Sequence, residues 1–105
     1  MAKGYWIGRV DVAQPEAYKQ YVAANAKPFA EFGARFLVRG GAFESMEGSA
    51  RSRNVVIEFP SYQAALDCYR SPDYQAAMTF RAGEVAEADI LVIEGYDGPQ
   101  PGQAA

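Results

Sequence analysis

Hydrophobic and polar positions in the first third of the chain predict a strand followed by a helix. Residues 4–12 are rich in aromatic and β-branched side chains, which favours a strand. Pro15 suits the first position of a helix, and Gly33 predicts its end. We expect Pro28 to kink this helix or to split off its last turn. The spacing i, i+3, i+4, i+7, i+11 and i+14 places six residues on one face of this helix, namely Tyr18, Tyr21, Val22, Asn25, Phe29 and Phe32.

Two further apolar segments predict a hairpin with a long tip. Residues 34–40 predict a second strand, and Gly40 and Gly41 indicate a bulge or a close approach of the backbone. A weak strand pattern continues over residues 42–44. Residues 53–59 predict a third strand. Because these strands follow each other along the chain, we expect them to pair antiparallel.

The last third of the chain predicts a broken helix and a final strand. Ser61 is a suitable N-cap for a helix that extends to Tyr69. A serine, a proline and an acid at residues 71–73 are typical of a second helix start, so we expect a break there and a second piece to about Ala82. Residues 89–96 predict a fourth strand.

The predicted order β-α-β-β-α-β is typical of a ferredoxin-like α+β domain, with a four-stranded antiparallel sheet and two helices on one face. The fourth strand is apolar on both sides, since Ile90 and Val92 alternate with Leu91 and Ile93. A sheet with one solvated face should instead alternate apolar and polar residues. We therefore expect a second copy of the chain to cover the free face, which makes the protein a homodimer.

Length and charge narrow the class of protein. A chain of 105 residues fits one domain, which we place at residues 1–98, with a flexible C-terminal tail at residues 99–105. No apolar run approaches the about 20 residues that cross a membrane, and we recognise no signal peptide, so we expect a cytoplasmic protein. The net charge is −3 and acids lie between the arginines of residues 35–53. That pattern argues against nucleic-acid binding.

The residue types that usually hold metals are scarce. Histidine is absent and Cys68 is the only cysteine, so we expect no metal site, no haem and no other cofactor. A single cysteine also forms no disulfide within the chain. Cys68 lies in a predicted helix, where a small packing residue is favoured over a reactive thiol.

Five segments carry motifs that occur together in a specific order. They are Lys3-Gly4-Tyr5-Trp6-Ile7, Phe36-Leu37-Val38-Arg39-Gly40-Gly41, Glu47-Gly48, Arg53-Asn54-Val55-Val56-Ile57-Glu58-Phe59-Pro60 and Tyr69-Arg70-Ser71-Pro72-Asp73-Tyr74. In this combination the chain resembles the domain-of-unknown-function family 1330 over residues 3–98. The resemblance implies a dimeric α/β barrel, in which two ferredoxin-like protomers pack sheet to sheet. It implies no activity, although relatives on that fold include cofactor-free monooxygenases, lactone isomerases, haem-degrading enzymes and ligand-binding regulators.

Two polar residues fall on apolar helix faces. Asn25 lies between Val22 and Phe29 on the first helix, so its amide either bonds the backbone or lines a cavity between helix and sheet. Arg81 continues the face of Tyr74 and Met78, where it either extends to the edge of the domain, or pairs with an inward acid, or meets an anionic ligand.

Four strand residues are further candidates for a ligand site. Arg39 precedes two glycines and could bind a carboxylate, unless it pairs with Glu58 on the neighbouring strand. Glu58 without a partner would have a raised pKa and could act as a general base. Tyr5 and Trp6 point to opposite faces of the first strand and suit core or interface positions.

These residues leave three functions open. The first is a module that binds a small, mostly apolar molecule between helices and sheet. An arginine in the site would suit an acidic molecule. The second is a cofactor-independent enzyme of the monooxygenase or isomerase kind, which would use Glu58 or a tyrosine. The third is a structural or interaction dimer without a ligand, so the sequence does not decide whether the protein is an enzyme. We also expect at least two of Asn25, Arg39, Glu58 and Arg81 to be buried and joined by hydrogen bonds or a salt bridge.

Overall fold

A computed structural model describes residues 2–103, and the elements follow the predicted order. The bounds are β1 Gly4–Val12, α1 Pro15–Glu31, β2 Arg35–Arg39, β3 Arg53–Phe59, α2 Tyr62–Arg70, α3 Pro72–Met78 and β4 Ala86–Glu94. The predicted break in the second helix is confirmed at Ser71, whose extended backbone ends α2 and caps α3. Its hydroxyl oxygen accepts the backbone N–H of Tyr74 at 3.2 Å, which is an N-cap bond.

The four strands form one antiparallel sheet in the order β2-β3-β1-β4. This order, with both βαβ halves packed on one side, is the ferredoxin-like fold. In the register of the central strands, Trp6 lies opposite Ile57 of β3 and Val92 of β4. The predicted fold class is therefore confirmed.

Trp6 is at the centre of the core between the sheet and the helices. Its indole N–H donates to the carbonyl oxygen of Ala65 at 2.8 Å, and its side chain is 2% exposed. Edge-on contacts join its ring to Phe29 at 5.2 Å and to Tyr74 at 4.9 Å between centroids. Aromatic pairs in this geometry stabilise beyond the area that they bury, so β1, α1, α2 and α3 meet at one side chain.

The other side of the sheet carries an apolar surface that no described element covers. We call it the outer face, and five of its residues are Tyr5, Ile7, Val56, Leu91 and Ile93. Ile7, Leu91 and Ile93 are exposed, whereas the helix-facing residues Trp6 and Ile57 are buried. The predicted apolar character of both faces is therefore present in the structure.

α1 ends close to the predicted Gly33, and Pro28 does not split off its last turn. The helix runs unbroken to Glu31 with Pro28 inside it. Pro28 still offers its carbonyl oxygen, which accepts the N–H of Phe32 at 3.1 Å. The N–H of Ala34 donates to the carbonyl oxygen of Phe29 at 2.9 Å, so the turn after the proline keeps its hydrogen bonds.

The hairpin differs from the prediction in the position of its bulge. The irregularity falls between Phe36 and Val38, not at the two glycines, and residues 42–44 form no strand. Gly40 has a positive φ of 66°, and a Cβ atom there would lie 2.7 Å from Nη1 of Arg53. A close approach at this glycine was predicted, and the approaching group is the Arg53 side chain.

Other element limits differ by a few residues. β4 begins at Ala86 and ends at Glu94, earlier than the predicted residues 89–96. α3 ends at Met78, earlier than the predicted end at about Ala82. Turns follow it up to Gly83, whose φ is 69°. Backbone pairing with β1 begins at Ala86, which local sequence patterns do not reveal.

Arg51 holds the long hairpin loop against the sheet. Its guanidinium binds the carboxylates of Asp11 at 2.8 Å, Glu87 at 3.1 Å and Asp89 at 2.9 Å. The backbone N–H of Ser52 donates to Asp11, and this bond together with Arg51 lowers the pKa of the Asp11 carboxyl. The guanidinium of Arg51 is therefore fully paired with carboxylates of the sheet.

Most residues of the described C-terminal segment after β4 are exposed. Residues 99–103 form a turn in which the N–H of Gln103 donates to the carbonyl oxygen of Gln100 at 2.9 Å. The rest of the predicted tail, residues 104–105, lies outside the described residues. Within residues 2–103 no helix is long and apolar enough to span a membrane, and the cytoplasmic location stays a prediction.

Cys68 generates a prediction about thiol reactivity. The side chain is fully buried, and this burial, with the nearby Glu31 carboxylate, raises the pKa of the thiol to about 12. Because a raised pKa keeps the thiol protonated at pH 8, we expect the folded protein to react with a disulfide reagent at least about a hundredfold more slowly than the urea-unfolded chain. Equal rates in the two states would contradict this.

Gly4 generates a prediction about packing. A Cβ at Gly4 would overlap the carbonyl oxygen of Ser61 and lie 2.6 Å from Cα of Tyr62, both backbone atoms of the α2 start. We expect Gly4→Ala to lower the free energy of unfolding by about 1–3 kcal/mol, measured by urea denaturation.

The matched control is Gly41→Ala, because nothing lies within 4 Å of a Cβ built at Gly41. Its unfolding free energy should change by less than about 0.5 kcal/mol. Equal stability of the two variants would show that β1 and α2 do not pack as closely as described.

Candidate functional site

A cleft lies between α1 and the helix-facing side of the sheet. Gly8 in the middle of β1 forms part of its floor and pairs with Val55 and Ile90 on the neighbouring strands. A Cβ at Gly8 would lie 2.9 Å from Cγ2 of Val55. Because Gly8 has no side chain, the Val55 side chain packs directly against the strand backbone there, two residues beyond Trp6.

The cleft is narrow in this conformation. Its cavity volume is about 30 Å³, which suits about two or three ordered waters. Sites for small organic ligands usually measure about 300–1,000 Å³. A ligand that needs a site of that size would therefore have to displace the long side chains that line the cleft.

Three arginines line the cleft: Arg39 from β2, Arg53 from β3 and Arg81 after α3. Within residues 2–103, none of them forms a salt bridge with a carboxylate. Each guanidinium lies near an aromatic ring. The guanidinium carbon of Arg39 is 4.2 Å from the centroid of the Phe36 ring. The corresponding distances are 6.0 Å to Tyr18 for Arg53 and 5.2 Å to Tyr21 for Arg81.

Two of these arginines carry a buried donor without an acceptor. The Nε atoms of Arg53 and Arg81 are buried and have no hydrogen-bond partner among the described residues. A buried charged donor without an acceptor is unfavourable by several kcal/mol at most sites. The arrangement therefore offers binding energy to an acceptor that enters the cleft.

Tyrosines and arginines meet at one end of the cleft. The hydroxyl groups of Tyr21 and Tyr74 are 2.7 Å apart, and Nη2 of Arg81 donates to Oη of Tyr74 at 3.3 Å. Burial, with the neighbouring Tyr21, raises the pKa of Tyr74 well above its usual range. Burial likewise raises the pKa of Tyr18, and the charges of Arg53 and Arg81 act against that rise. Tyr18 and Tyr74 are therefore protonated at neutral pH.

Four of the six residues predicted from the sequence line the cleft. Trp6 contributes an aromatic wall, and Arg39 and Arg81 contribute charge. Asn25 is 5% exposed, and its side-chain amide makes no hydrogen bond within residues 2–103. Of the two alternatives for this residue, the structure places it in the lining of the cavity.

Tyr5 and Glu58 lie on the outer face and not in the cleft. The Tyr5 hydroxyl donates to the Glu58 carboxylate at 3.0 Å, which leaves Glu58 with a partner. The expected pair of Arg39 with Glu58 is wrong, because Glu58 lies opposite Arg35 and Arg39 lies opposite Val55. The bulge in β2 and the alternation of strand faces separate the two side chains.

The expected polar network among Asn25, Arg39, Glu58 and Arg81 is also wrong. No hydrogen bond or salt bridge joins any two of them in the described part of the chain. Three of the four instead face the same cleft from different elements. They are therefore gathered around a space and not joined to each other.

Three of the cleft residues that carry hydrogen-bonding groups were not singled out from the sequence. Arg53 occupies an inward position of β3, in phase with Val55 and Ile57. An arginine in phase with the buried residues of a strand is the signal that could have identified it. Tyr18 and Tyr21 lie on the predicted apolar face of α1, where periodicity does not distinguish core from cleft.

Metal-ligating groups do not come together in the described structure. Within residues 2–103, no three His, Cys, Asp or Glu side chains are close enough to hold a metal ion. Of the described residues that line the cleft, none is Asp or Glu. The polar groups of the cleft are the three guanidinium groups, phenol hydroxyls and one amide.

Solved structures share this fold. A protein of unknown function from Rhodopseudomonas palustris, RPA0582, has a TM-score of 0.73 at 17% identity, with 92% of this chain and 85% of that chain covered. SnoaB, a cofactor-independent oxygenase from Streptomyces nogalater, has a TM-score of 0.60 at 14% identity, with 98% and 100% covered. A dimeric ferredoxin-like protein of unknown function from Thermobifida fusca has a TM-score of 0.59 at 17% identity, with 89% and 91% covered. At these identities the likeness shows the fold alone.

Comparison with family models settles the membership that the motifs indicated. No curated protein matches the sequence significantly. The model of the domain of unknown function DUF1330 matches residues 3–96, which is nearly the whole chain. The resemblance found in the sequence is confirmed, and this chain belongs to the DUF1330 family.

Proposed function

We propose that this protein binds a small, mostly apolar organic acid in the cleft between α1 and the sheet. The observation that carries the proposal is the set of three arginines, Arg39, Arg53 and Arg81, around an otherwise apolar space. The chain as a whole has a net charge of −3, so a local excess of positive charge is notable. A carboxylate is one of the groups that match the donor geometry of a guanidinium group.

The walls favour an apolar body on the ligand. Trp6, Phe29 and Phe36 present rings to the cleft, and Val55 and Ile90 flank the Gly8 floor. An apolar group that enters this space leaves water and gains contacts, which contributes about 25 cal/mol for each Å² buried. The charged end of such a ligand would face the arginines, which accounts for both the apolar and the cationic parts of the lining.

A cofactor-independent enzyme is the second candidate. Tyr21 favours it, because a phenol beside an arginine can exchange a proton with a bound molecule. Glu58, the carboxylate considered as a base, lies on the outer face, so a tyrosine would have to serve. Oxygen consumption with a bound acid, lost in Tyr21→Phe, would favour the enzyme over the binding module.

A dimer without a ligand is the third candidate and has less support. That function requires no cavity, and a filled interior would suit it best. The cleft and its buried Nε donors of Arg53 and Arg81 are features that such a protein does not need.

We further propose that the protein is a homodimer joined through the outer face. Ile7, Leu91 and Ile93 lie exposed on a continuous sheet surface. A second copy packed sheet to sheet would bury this surface on both protomers at once, as a two-fold interface does. A solved relative of this fold from Thermobifida fusca is described as a dimeric ferredoxin-like protein.

Binding of benzoate tests the ligand proposal. Trp6 is the only tryptophan and lines the cleft, so its fluorescence should report benzoate titrated into the native protein. We expect Arg53→Gln to weaken benzoate binding by about tenfold or more, because a charged hydrogen bond contributes about 1.5–3 kcal/mol.

The matched control is Arg70→Gln, since Arg70 is exposed at the end of α2 and away from the cleft. This variant should bind benzoate as the native protein does. Absence of benzoate binding at millimolar concentration, or unchanged binding by Arg53→Gln, would overturn the proposal.

Sedimentation tests the homodimer. We expect the native chain to sediment as a dimer at micromolar concentration and Leu91→Glu to sediment as a folded monomer, because a charge on the outer face opposes its burial. Phe80→Glu, which places the same charge at an exposed apolar residue after α3, should stay dimeric. A monomeric native protein would contradict the homodimer.

A further inference from the structure

By geometry either hydroxyl can donate between Tyr21 and Tyr74, and the burial of Tyr74 favours one direction. A guanidinium only donates, so Arg81 donates through Nη2 to Oη of Tyr74 at 3.3 Å. Tyr74 is 0% exposed, and its own hydroxyl hydrogen needs an acceptor. The one acceptor within hydrogen-bond distance in the described residues is Oη of Tyr21, at 2.7 Å. Tyr74 therefore donates to Tyr21.

This direction leaves the Tyr21 hydrogen free. Because Oη of Tyr21 receives the hydrogen of Tyr74, its own O–H has no acceptor among residues 2–103. Tyr21 lines the cleft, whereas Tyr74 does not. The O–H of Tyr21 is thus a donor available to a molecule in the cleft.

A second unused donor belongs to the same corner. The guanidinium carbon of Arg81 lies 5.2 Å from the Tyr21 ring centroid, and its buried Nε has no partner in the described structure. The hydroxyl of Tyr21 is thus a neutral donor, and Nε of Arg81 is a charged donor. Neither has an acceptor for its hydrogen among the described residues. An acceptor with two oxygens and negative charge would satisfy both.

The chain of bonds also strengthens the Tyr21 donor. Each hydroxyl that accepts a hydrogen bond becomes a better donor, and the chain begins at the positive charge of Arg81. The order Arg81 to Tyr74 to Tyr21 polarises both hydroxyl groups in the same direction. The buried setting of Tyr74 keeps this polarisation from being screened by water.

We infer that Tyr21 determines the specificity of the cleft for a carboxylate, by donating its hydroxyl hydrogen to one carboxylate oxygen while Nε of Arg81 donates to the other. In this arrangement Tyr74 is a positioning residue, because it orients the Tyr21 hydroxyl and does not itself reach the ligand. The inference rests on the proposed function and specifies which side chains receive the acid.

Benzoate and toluene serve as the two probes, because they share an aromatic ring and only benzoate accepts hydrogen bonds. We expect Tyr21→Phe to weaken benzoate binding by about 10- to 100-fold and to leave toluene binding nearly unchanged. Unchanged toluene binding shows that the variant folds and that its cleft persists. Tyr69→Phe is the matched control, since the Tyr69 hydroxyl contacts Sδ of Met78 outside the cleft.

A double-mutant cycle tests the positioning role of Tyr74. Tyr74→Phe should weaken benzoate binding, and adding it to Tyr21→Phe should weaken it no further, because the two hydroxyl groups act as one unit. A structural role alone would give additive losses and would weaken toluene binding as well.

The possible failures are distinguishable. If Tyr21→Phe binds benzoate as tightly as the native protein while Arg53→Gln binds it weakly, the inference about Tyr21 falls and the acid-binding proposal stands. If the native protein binds no benzoate, both fall. If Tyr21→Phe weakens benzoate and toluene equally, the hydroxyl serves the shape of the cleft, and the inference falls.

Discussion

The position of Trp6 on the central strand is the constraint from which the rest of the structure follows. Its ring packs edge-on against side chains from α1 and α3, and its N–H fixes the α2 backbone at Ala65. Two residues later the same strand carries Gly8, which has no side chain to continue that packing. The strand therefore provides a dense core at Trp6 and bare backbone at the next inward position, where the side chain of Val55 comes close. The cleft lies where α1 passes over this change.

Two arginines separated by one residue show how the fold divides its charges. Arg51, in the hairpin loop, binds three carboxylates and holds that loop on the sheet. Arg53, on the inward side of β3, has no carboxylate partner among the described residues and keeps a buried Nε without an acceptor. Desolvation makes the second arrangement unfavourable unless an acceptor is supplied. The difference separates an arginine that stabilises the fold from one that is available for binding.

The similarity to solved structures reaches the fold and stops before the chemistry. A ferredoxin-like sheet with helices on one face is shared with proteins at 14% to 17% identity, one of which is a cofactor-independent oxygenase. The same backbone supports unrelated activities, because function depends on the side chains placed in the cleft. In this chain the polar side chains of the cleft are three guanidinium groups, which only donate, together with tyrosine hydroxyls and the Asn25 amide, which donate and accept. The composition of the cleft therefore supports an acidic ligand more directly than the fold does.

The sequence by itself determined the order of the elements, the bounds of β1 and β3, the break at Ser71 and the apolar character of both sheet faces. These features follow from interactions between near neighbours: strand alternation, a proline at a helix start and a serine cap. Only the tertiary structure decided that Arg39 faces the cleft while Glu58 faces away, and that Tyr21 meets Tyr74. A bulge at one residue reverses the side on which the following side chains lie, and the two tyrosines are 53 residues apart. Such contacts depend on register and on helix placement, which are set by packing across the whole domain and leave no local pattern in the chain.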